Sequence, residues 1–265
     1  MRYFVYNHHD MWQYPMGGSS LLEADVVFLW SDWAFPNEVA KLHLLGKKVI
    51  VYEHGFGSAF DYELNNREPI ADGYLVLGQE SKNSLIRAGV DPDKILVTGN
   101  PIYDDIKKTK HKGKEALFVP LHWVRDLRVY NQSLYERLRG AYPEYNWTVK
   151  LTDKTGRLFA GRTWYNEVDS NILEDIKEKL PGYDIVFTPR SSTFESFARL
   201  MGIPVYVVDK KASYKAPGEP EAVPMDNTYL EIGEKIPKEK PIDMDKYIKR
   251  PSVKLDIILD WVKKL

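Results

Sequence analysis

Short apolar runs alternate along most of the chain with segments whose apolar residues recur every three or four positions. The runs at Tyr3–Tyr6, Asp25–Trp30, Lys48–Tyr52, Gly73–Leu77, Ile95–Val97, Ala116–Val119, Trp147–Leu151, Asp184–Thr188 and Val205–Val208 are rich in Val, Ile, Phe, Tyr and Trp. Several carry almost no polar alternation, as expected of strands covered on both faces. Between them, helix signals recur. Pro36 suits a first helical position, Val39, Leu42 and His43 share a face, and Gly46 closes the end. A second helix is expected over Glu80–Ala88 with Gly89 as its stop, and a third over Ser133–Arg139. A fourth starts at Ser191–Ser192 and stacks Phe194, Phe197, Ala198 and Met201 on one face before Gly202 and Pro204 end it. A last helix over Lys254–Leu265 aligns Leu255, Ile258, Leu259, Val262 and Leu265. This alternation predicts an α/β fold with parallel sheets.

Three stretches break the pattern. The lysine-rich Asp105–Lys114 lies between two strand–helix series and predicts a domain boundary, giving residues 1–106 and 107–265. Residues 153–168 mix Gly, Arg and aromatics and read as a long functional loop, and the Pro-, Glu- and Lys-rich residues 210–241 as a segment wrapping the surface. A length of 265 residues suffices for two modest domains. With 37 Lys plus Arg against 38 Asp plus Glu, the balance gives no electrostatic case for nucleic-acid or anionic-membrane binding. The absence of cysteine excludes disulfides, thiolate catalysis and cysteine metal sites. His8 and His9 lack the partner spacing of a metal site, so no metal is expected. The opening apolar stretch meets His8, His9 and Asp10 too soon for a signal peptide, and no apolar run approaches the ~20 residues of a membrane span. The expected compartment is the cytoplasm.

Three motifs stand out by their order and spacing: Lys48–Gly57 (KVIVYEHGFG), a buried strand ending in His-Gly; Gly73–Asp104, in which a strand and helix lead to a Gly-Val turn and then Gly-Asn-Pro; and Asp184–Asp209 (DIVFTPRSSTFESFARLMGIPVYVVD). Together they resemble the GT-B glycosyltransferase superfamily over about two-thirds of the chain. Within it the resemblance is nearest to CDP-glycerol glycerophosphotransferases and capsule or teichoic-acid polymerases, then to UDP-GlcNAc 2-epimerases. One departure is that the His-Pro usual after the second C-terminal strand reads Lys150–Thr152 (KLT) here.

The resemblance implies two Rossmann-like domains facing across a cleft, acceptor side first and nucleotide-donor side second, with the last helix, about 254–265, packing back on the first domain. It implies metal-independent, inverting transfer of a sugar or polyol phosphate from a nucleotide-sugar or CDP-polyol donor to a hydroxyl acceptor such as a glycan, with no separate cofactor. An epimerase-like reaction, drawing on Asp10, Asp32 or Glu53, and a non-catalytic nucleotide-sugar-binding protein are the alternatives. His54, just after its strand, would be the base, with Gly55 giving the loop room. Gly17 and Gly18, in the loop after the first strand, serve either a close approach to ligand or a plain turn. Arg190, Ser191, Ser192 and Thr193 sit where a strand gives way to a helix. That position offers free N–H groups for a diphosphate, and equally for ordinary capping. Glu195 fits a ribose diol, or a capping box with Ser192. His122, followed by Trp123 and Arg125, suits a base or phosphate, or packing under a loop. Lys150 is either a donor contact at a strand end or a solvated lysine.

Overall fold

The computed structural model describes residues 1–5, 20–53, 58–64, 66–111, 113–120, 128–151, 162–165, 172–189, 193–208, 228–237 and 242–265. These fall into two compact units: Met1–Asp105 with Asp243–Leu265, and the residues between Ile106 and Ile242. Each is a Rossmann-like α/β unit built on its own parallel sheet.

The first unit carries β1 (Tyr3–Val5), β2 (Val26–Leu29), β3 (Lys48–Tyr52), β4 (Gly73–Val76) and β5 (Ile95–Val97), parallel throughout and lying side by side in chain order. The connecting helices are α1 (Pro36–Leu44), α2 (Phe60–Leu64) and α3 (Gln79–Arg87). Right-handed crossovers in a strictly sequential order put every connecting helix on the same face. That face is one cluster: Val27, Leu29, Val49, Val51, Tyr74 and Val76 of the strands meet Val39, Leu42, Tyr62 and Leu85 of the helices.

The second unit carries β6 (Glu115–Phe118), β7 (Asn146–Leu151), β8 (Arg162–Tyr165), β9 (Ile185–Thr188), β10 (Val205–Val208) and β11 (Thr228–Leu230), with α4 (Arg128–Ala141), α5 (Ile172–Lys179) and α6 (Thr193–Met201). Its spatial order is β11-β10-β9-β6-β7-β8, all parallel. The chain builds outward from β6 through β7 to β8, then returns to β9 on the other side of β6. This reversal sends the helices to both faces. Ala116, Phe118, Val149, Phe187 and Tyr206 pack with Leu134, Tyr135 and Leu138 of α4. Leu117, Val186 and Val207, also buried, alternate to the opposite face.

The chain then returns to the first unit as α7 (Leu255–Lys264). Its Ile258 and Val262, both fully buried, cluster with Val26, Phe28, Ile50, Tyr52 and Leu75, the sheet face that the crossovers leave open. Burying two such side chains is worth ~1.5–3 kcal/mol each. The segment leading into α7 is stitched across the ends of β4 and β5: Lys249 N–H donates to Leu77 O at 2.8 Å and Val253 N–H to Thr98 O at 2.7 Å. Two glycines permit that approach, because a Cβ on Gly78 or Gly99 would collide with the backbone of Tyr247 or Lys249. Gly99 also adopts φ 69°, a left-handed value that favours glycine.

All nine expected strands are present, with ends displaced by at most one residue. The differences lie elsewhere. The stretch read as a long loop contains β8, and the one read as a surface wrap contains β11. Both are edge strands paired on one side only. An edge position lets a strand do without an apolar run, and these two, Arg-Thr-Trp-Tyr and Thr-Tyr-Leu, lack one, unlike the edge strands β1 and β5. Helix α4 extends at both ends beyond Ser133–Arg139, and α2 and α5 were not expected.

Candidate functional site

In an open parallel sheet, ligands bind outside the carboxyl ends of the strands where the strand order reverses, because the chains leaving adjacent strands part to opposite faces. The second sheet has that point between β6 and β9. The two strands stay joined to their ends, with Val119 N–H donating to Phe187 O at 2.9 Å. The segments leaving them are the ones the sequence singled out, the first running toward His122 and the second through Thr188 toward Arg190, Ser191 and Ser192. These four residues lie outside the described ones. Thr193 opens α6, and the helix presents its N-terminal end to this edge.

Two of the expected donor contacts are described. Lys150 is 3% exposed, so the solvated reading does not hold. Its ammonium lies 5.1 Å over the ring of Phe194, in the first turn of α6, a cation–π contact that ties the end of β7 to the start of the helix. Glu195 is fully buried. Its Oε1 accepts from Arg199 Nε at 2.9 Å, one helical turn on, and Arg199 Nη2 donates to the carbonyl of Val205 at 3.3 Å. Its Oε2 is buried and has no hydrogen-bond partner among the described residues. Among the described residues neither oxygen accepts from the helix backbone, and the capping partner Ser192 lies outside them; the carboxylate is half-paired to a cation and half-bare. A buried acceptor left bare costs about 1–3 kcal/mol. Arg199 was not anticipated, although its i, i+4 spacing from Glu195 is a legible helical pairing signal.

The carboxylates of the first unit contrast with this. Asp32, after β2 and fully buried, accepts from Ile70 N–H at 2.9 Å, Ala71 N–H at 3.0 Å, the Tyr74 hydroxyl at 2.7 Å and the Tyr62 hydroxyl. Burial first, then the Asp32 charge, pushes both tyrosines well above the ordinary tyrosine range, which keeps them protonated as donors. Glu53, after β3, accepts from Leu77 N–H at 2.7 Å, the Ser81 hydroxyl at 3.1 Å and Ala59 N–H at 3.4 Å. It thereby fastens the start of α3 to the end of β3. Both acids are saturated by the protein and act as struts. A small hollow lined by Trp30, Trp33, Glu53, Ser58 and Tyr62 opens beside Glu53. His54, Gly55, Gly17 and Gly18 lie outside the described residues. Among the described residues no cluster of three or more His, Asp or Glu could hold a metal ion, and no helix is long and apolar enough to cross a membrane.

No protein-family model and no curated protein matches the chain in sequence. Solved structures do resemble it in shape. A Methanocaldococcus jannaschii UDP-GlcNAc 2-epimerase in complex with UDP-GlcNAc and UDP matches at 15% identity and a TM-score of 0.49, over 69% of this chain and 60% of that one. Anabaena Alr3699/HepE in complex with UDP-glucose matches at 13% identity and a TM-score of 0.42, over 71% of this chain and 60% of that one. The lipopolysaccharide outer core galactosyltransferase WaaB, apo form, matches at 14% identity and a TM-score of 0.42, over 91% of this chain and 71% of that one. The chain thus spans 60% of the length of the first two.

Proposed function

We propose that the chain is a GT-B-type, metal-independent glycosyltransferase, moving a sugar or polyol phosphate from a nucleotide-activated donor to a hydroxyl acceptor such as a glycan. The observation that carries this reading is the buried, half-bare carboxylate of Glu195 in the first turn of the helix leaving the strand-order reversal. A carboxyl oxygen without a partner is a hydrogen-bond acceptor, so it fits a hydroxyl, as on the ribose of a nucleotide. The adjoining start of α6, with Arg190, Ser191, Ser192 and Thr193, supplies N–H groups and positive charge suited to the diphosphate. Lys150 adds a cation at a neighbouring strand end, and His122, which follows β6 in the chain, is the remaining candidate donor contact. Developing charge on the leaving phosphate is stabilised by these groups.

The first unit holds the acceptor. His54, on the loop leaving β3, takes the acceptor's proton as it attacks, with Gly55, Gly17 and Gly18 giving that edge its room. The epimerase alternative needs free acids. Asp32 and Glu53 are saturated struts, so it is left with Asp10. The CDP-glycerol resemblance makes CDP-polyols part of the donor panel.

Two measurements test the reading. A panel of nucleotide-sugars and CDP-glycerol, assayed for released nucleotide with glycan acceptors, should give turnover with one donor. Isothermal titration with UDP and CDP should show binding that Ser192→Ala with Glu195→Gln weakens at least about tenfold, since each hydrogen bond to a charged group is worth ~1.5–3 kcal/mol. Binding unchanged by the double substitution would place the donor elsewhere.

A further inference from the structure

Three leucines stand almost clear of the first unit: Leu22 is 84% exposed, Leu44 88% and Leu45 65%. Exposed leucines scattered singly are ordinary, but these are neighbours. Leu22 lies in the turn before β2, and Leu44 and Leu45 close α1. Lys47, two residues past Leu45, donates from Nζ to Leu22 O at 2.9 Å and to Ala24 O at 2.7 Å, which draws the turn against the end of the helix. Met1, half exposed, adjoins them, because Arg2 N–H donates to the Asp25 carboxylate at 2.7 Å and Arg2 O accepts from Asp25 N–H at 2.8 Å. All of these lie at the amino ends of β1, β2 and β3, opposite the carboxyl edge from which Asp32 and Glu53 follow.

Cations surround the apolar tips. Lys41 lies one turn before Leu45, and Lys47 and Lys48 follow Gly46. The last turn of α7 brings Lys263 and Lys264 to the same edge, since Lys48 Nζ donates to Val262 O at 3.0 Å. Of the nearby acids, Asp25 and Asp260 are ion-paired to Arg2 and Lys263, and Asp72 accepts from Val49 N–H and contacts His43. That leaves Glu23, bonded to the Ser20 hydroxyl, against Lys41, Lys47, Lys48 and Lys264, which form no ion pair among the described residues. The edge therefore carries a local positive excess that the overall balance of 37 basic to 38 acidic residues averages away.

We propose that this edge is a docking surface for an anionic lipid bilayer. Its leucines enter the boundary between headgroups and acyl chains, and the lysines around them meet the headgroup phosphates. Each cation held near such a surface is worth about fivefold in affinity. Because the strands are parallel, a bilayer at their amino ends leaves their carboxyl ends, with the loops after β2 and β3, facing water. The docking surface is thus separate from the candidate site and stands or falls without it.

The test is co-sedimentation of the whole chain with vesicles of phosphatidylcholine alone and of phosphatidylcholine with about 30% phosphatidylglycerol, at low and high salt. Wild type should bind the anionic vesicles at least about tenfold more tightly than the neutral ones, and salt should release it. The Leu22→Ser/Leu44→Ser/Leu45→Ser variant changes side chains already in water, so it should keep the wild-type circular dichroism while losing at least about tenfold in vesicle affinity. Lys41→Gln/Lys264→Gln should lose about fivefold per lysine and leave the remaining binding less sensitive to salt. This second variant carries the comparison if the serine variant does not fold. Wild type that stays in solution with the anionic vesicles, or binds both kinds alike, overturns the proposal. A folded serine variant or a lysine variant that binds as wild type does overturns it too. So does a wild type that is dimeric by light scattering and becomes monomeric with the serine changes, which assigns the leucines to a second copy of the chain.

Discussion

The two sheets are built from the same kind of strand and differ in the order in which the chain visits them. The first runs β1 to β5 without reversal, so its crossover helices share one face and α7 covers the other. The second reverses between β6 and β9 and parts its connections to both faces. Their buried acids follow suit. In the first sheet, among the described residues, Asp32 has four protein donors and Glu53 at least three, bracing the carboxyl edge. In the second, Glu195 has one cation and a bare oxygen. The difference teaches that a buried carboxylate at a sheet edge is not by itself a functional signal. What separates strut from site is whether the protein has already supplied every donor.

The contrast can be sharpened or broken by substitution. The largest effect is expected at His54, where the first unit would contribute chemistry from a loop rather than from a crevice. His54→Ala should lower turnover by ~10²–10⁴-fold, the usual contribution of a positioned base, with UDP or CDP affinity nearly unchanged. Steady-state rates at saturating donor, once donor and acceptor are identified, check it; wild-type turnover would confine the first unit to binding.

Next comes the strut. Asp32→Ala strands two buried hydroxyls and two backbone N–H groups, and should cost about 3–5 kcal/mol of stability, as removing one side of a buried charged network does. Urea denaturation reads the loss. The Glu195→Gln/Arg199→Met pair, which removes both buried charges together and strands neither, should destabilise far less. A pair variant as unstable as Asp32→Ala would erase the distinction between the two acids.

A smaller effect is expected in alkali. Tyr62 and Tyr74 are raised above the ordinary value of 10.0 by burial and by Asp32. A raised folded value means their contribution is complete below pH 10 and is lost as pH climbs past it, because the unfolded tyrosines ionise while the folded ones do not. Each should add about 1.4 kcal/mol of lost stability per pH unit above 10. Tyr62→Phe should remove about half of the slope those two tyrosines contribute, read from urea midpoints between pH 9 and 11. The smallest effect belongs to the α2–α3 tie on the surface. The Arg87 guanidinium, with help from Ser84, holds the Glu63 carboxyl below its ordinary 4.5. That contribution is present above pH 4.5 and fades as pH falls below it. With the pair half-exposed, Glu63→Gln should cost about 0.5 kcal/mol at pH 7 and almost nothing at pH 3.

The strands and the main helices were legible because their signals are local. A buried parallel strand such as Val49–Tyr52 announces itself by an unbroken apolar run, and α6 by the stacking of Phe194, Phe197, Ala198 and Met201 bounded by Gly202 and Pro204. The edge strands β8 and β11 were not, since they read Arg-Thr-Trp-Tyr and Thr-Tyr-Leu, without the apolar run that the edge strands β1 and β5 of the first sheet do carry. The candidate site was half legible: the segments carrying His122, Arg190 and Glu195 could be picked out in sequence. Only the strand order showed that the chains bearing them leave adjacent strands at a reversal. The sequence also could not rank its acids. Asp32, Glu53 and Glu195 each follow or adjoin a buried strand and look alike as letters. Only the tertiary structure decided that the first two are filled by Tyr62, Tyr74, Leu77 and Ser81 while the third keeps an oxygen bare, because hydrogen-bond donors distant in the chain are assigned to an acceptor by packing alone.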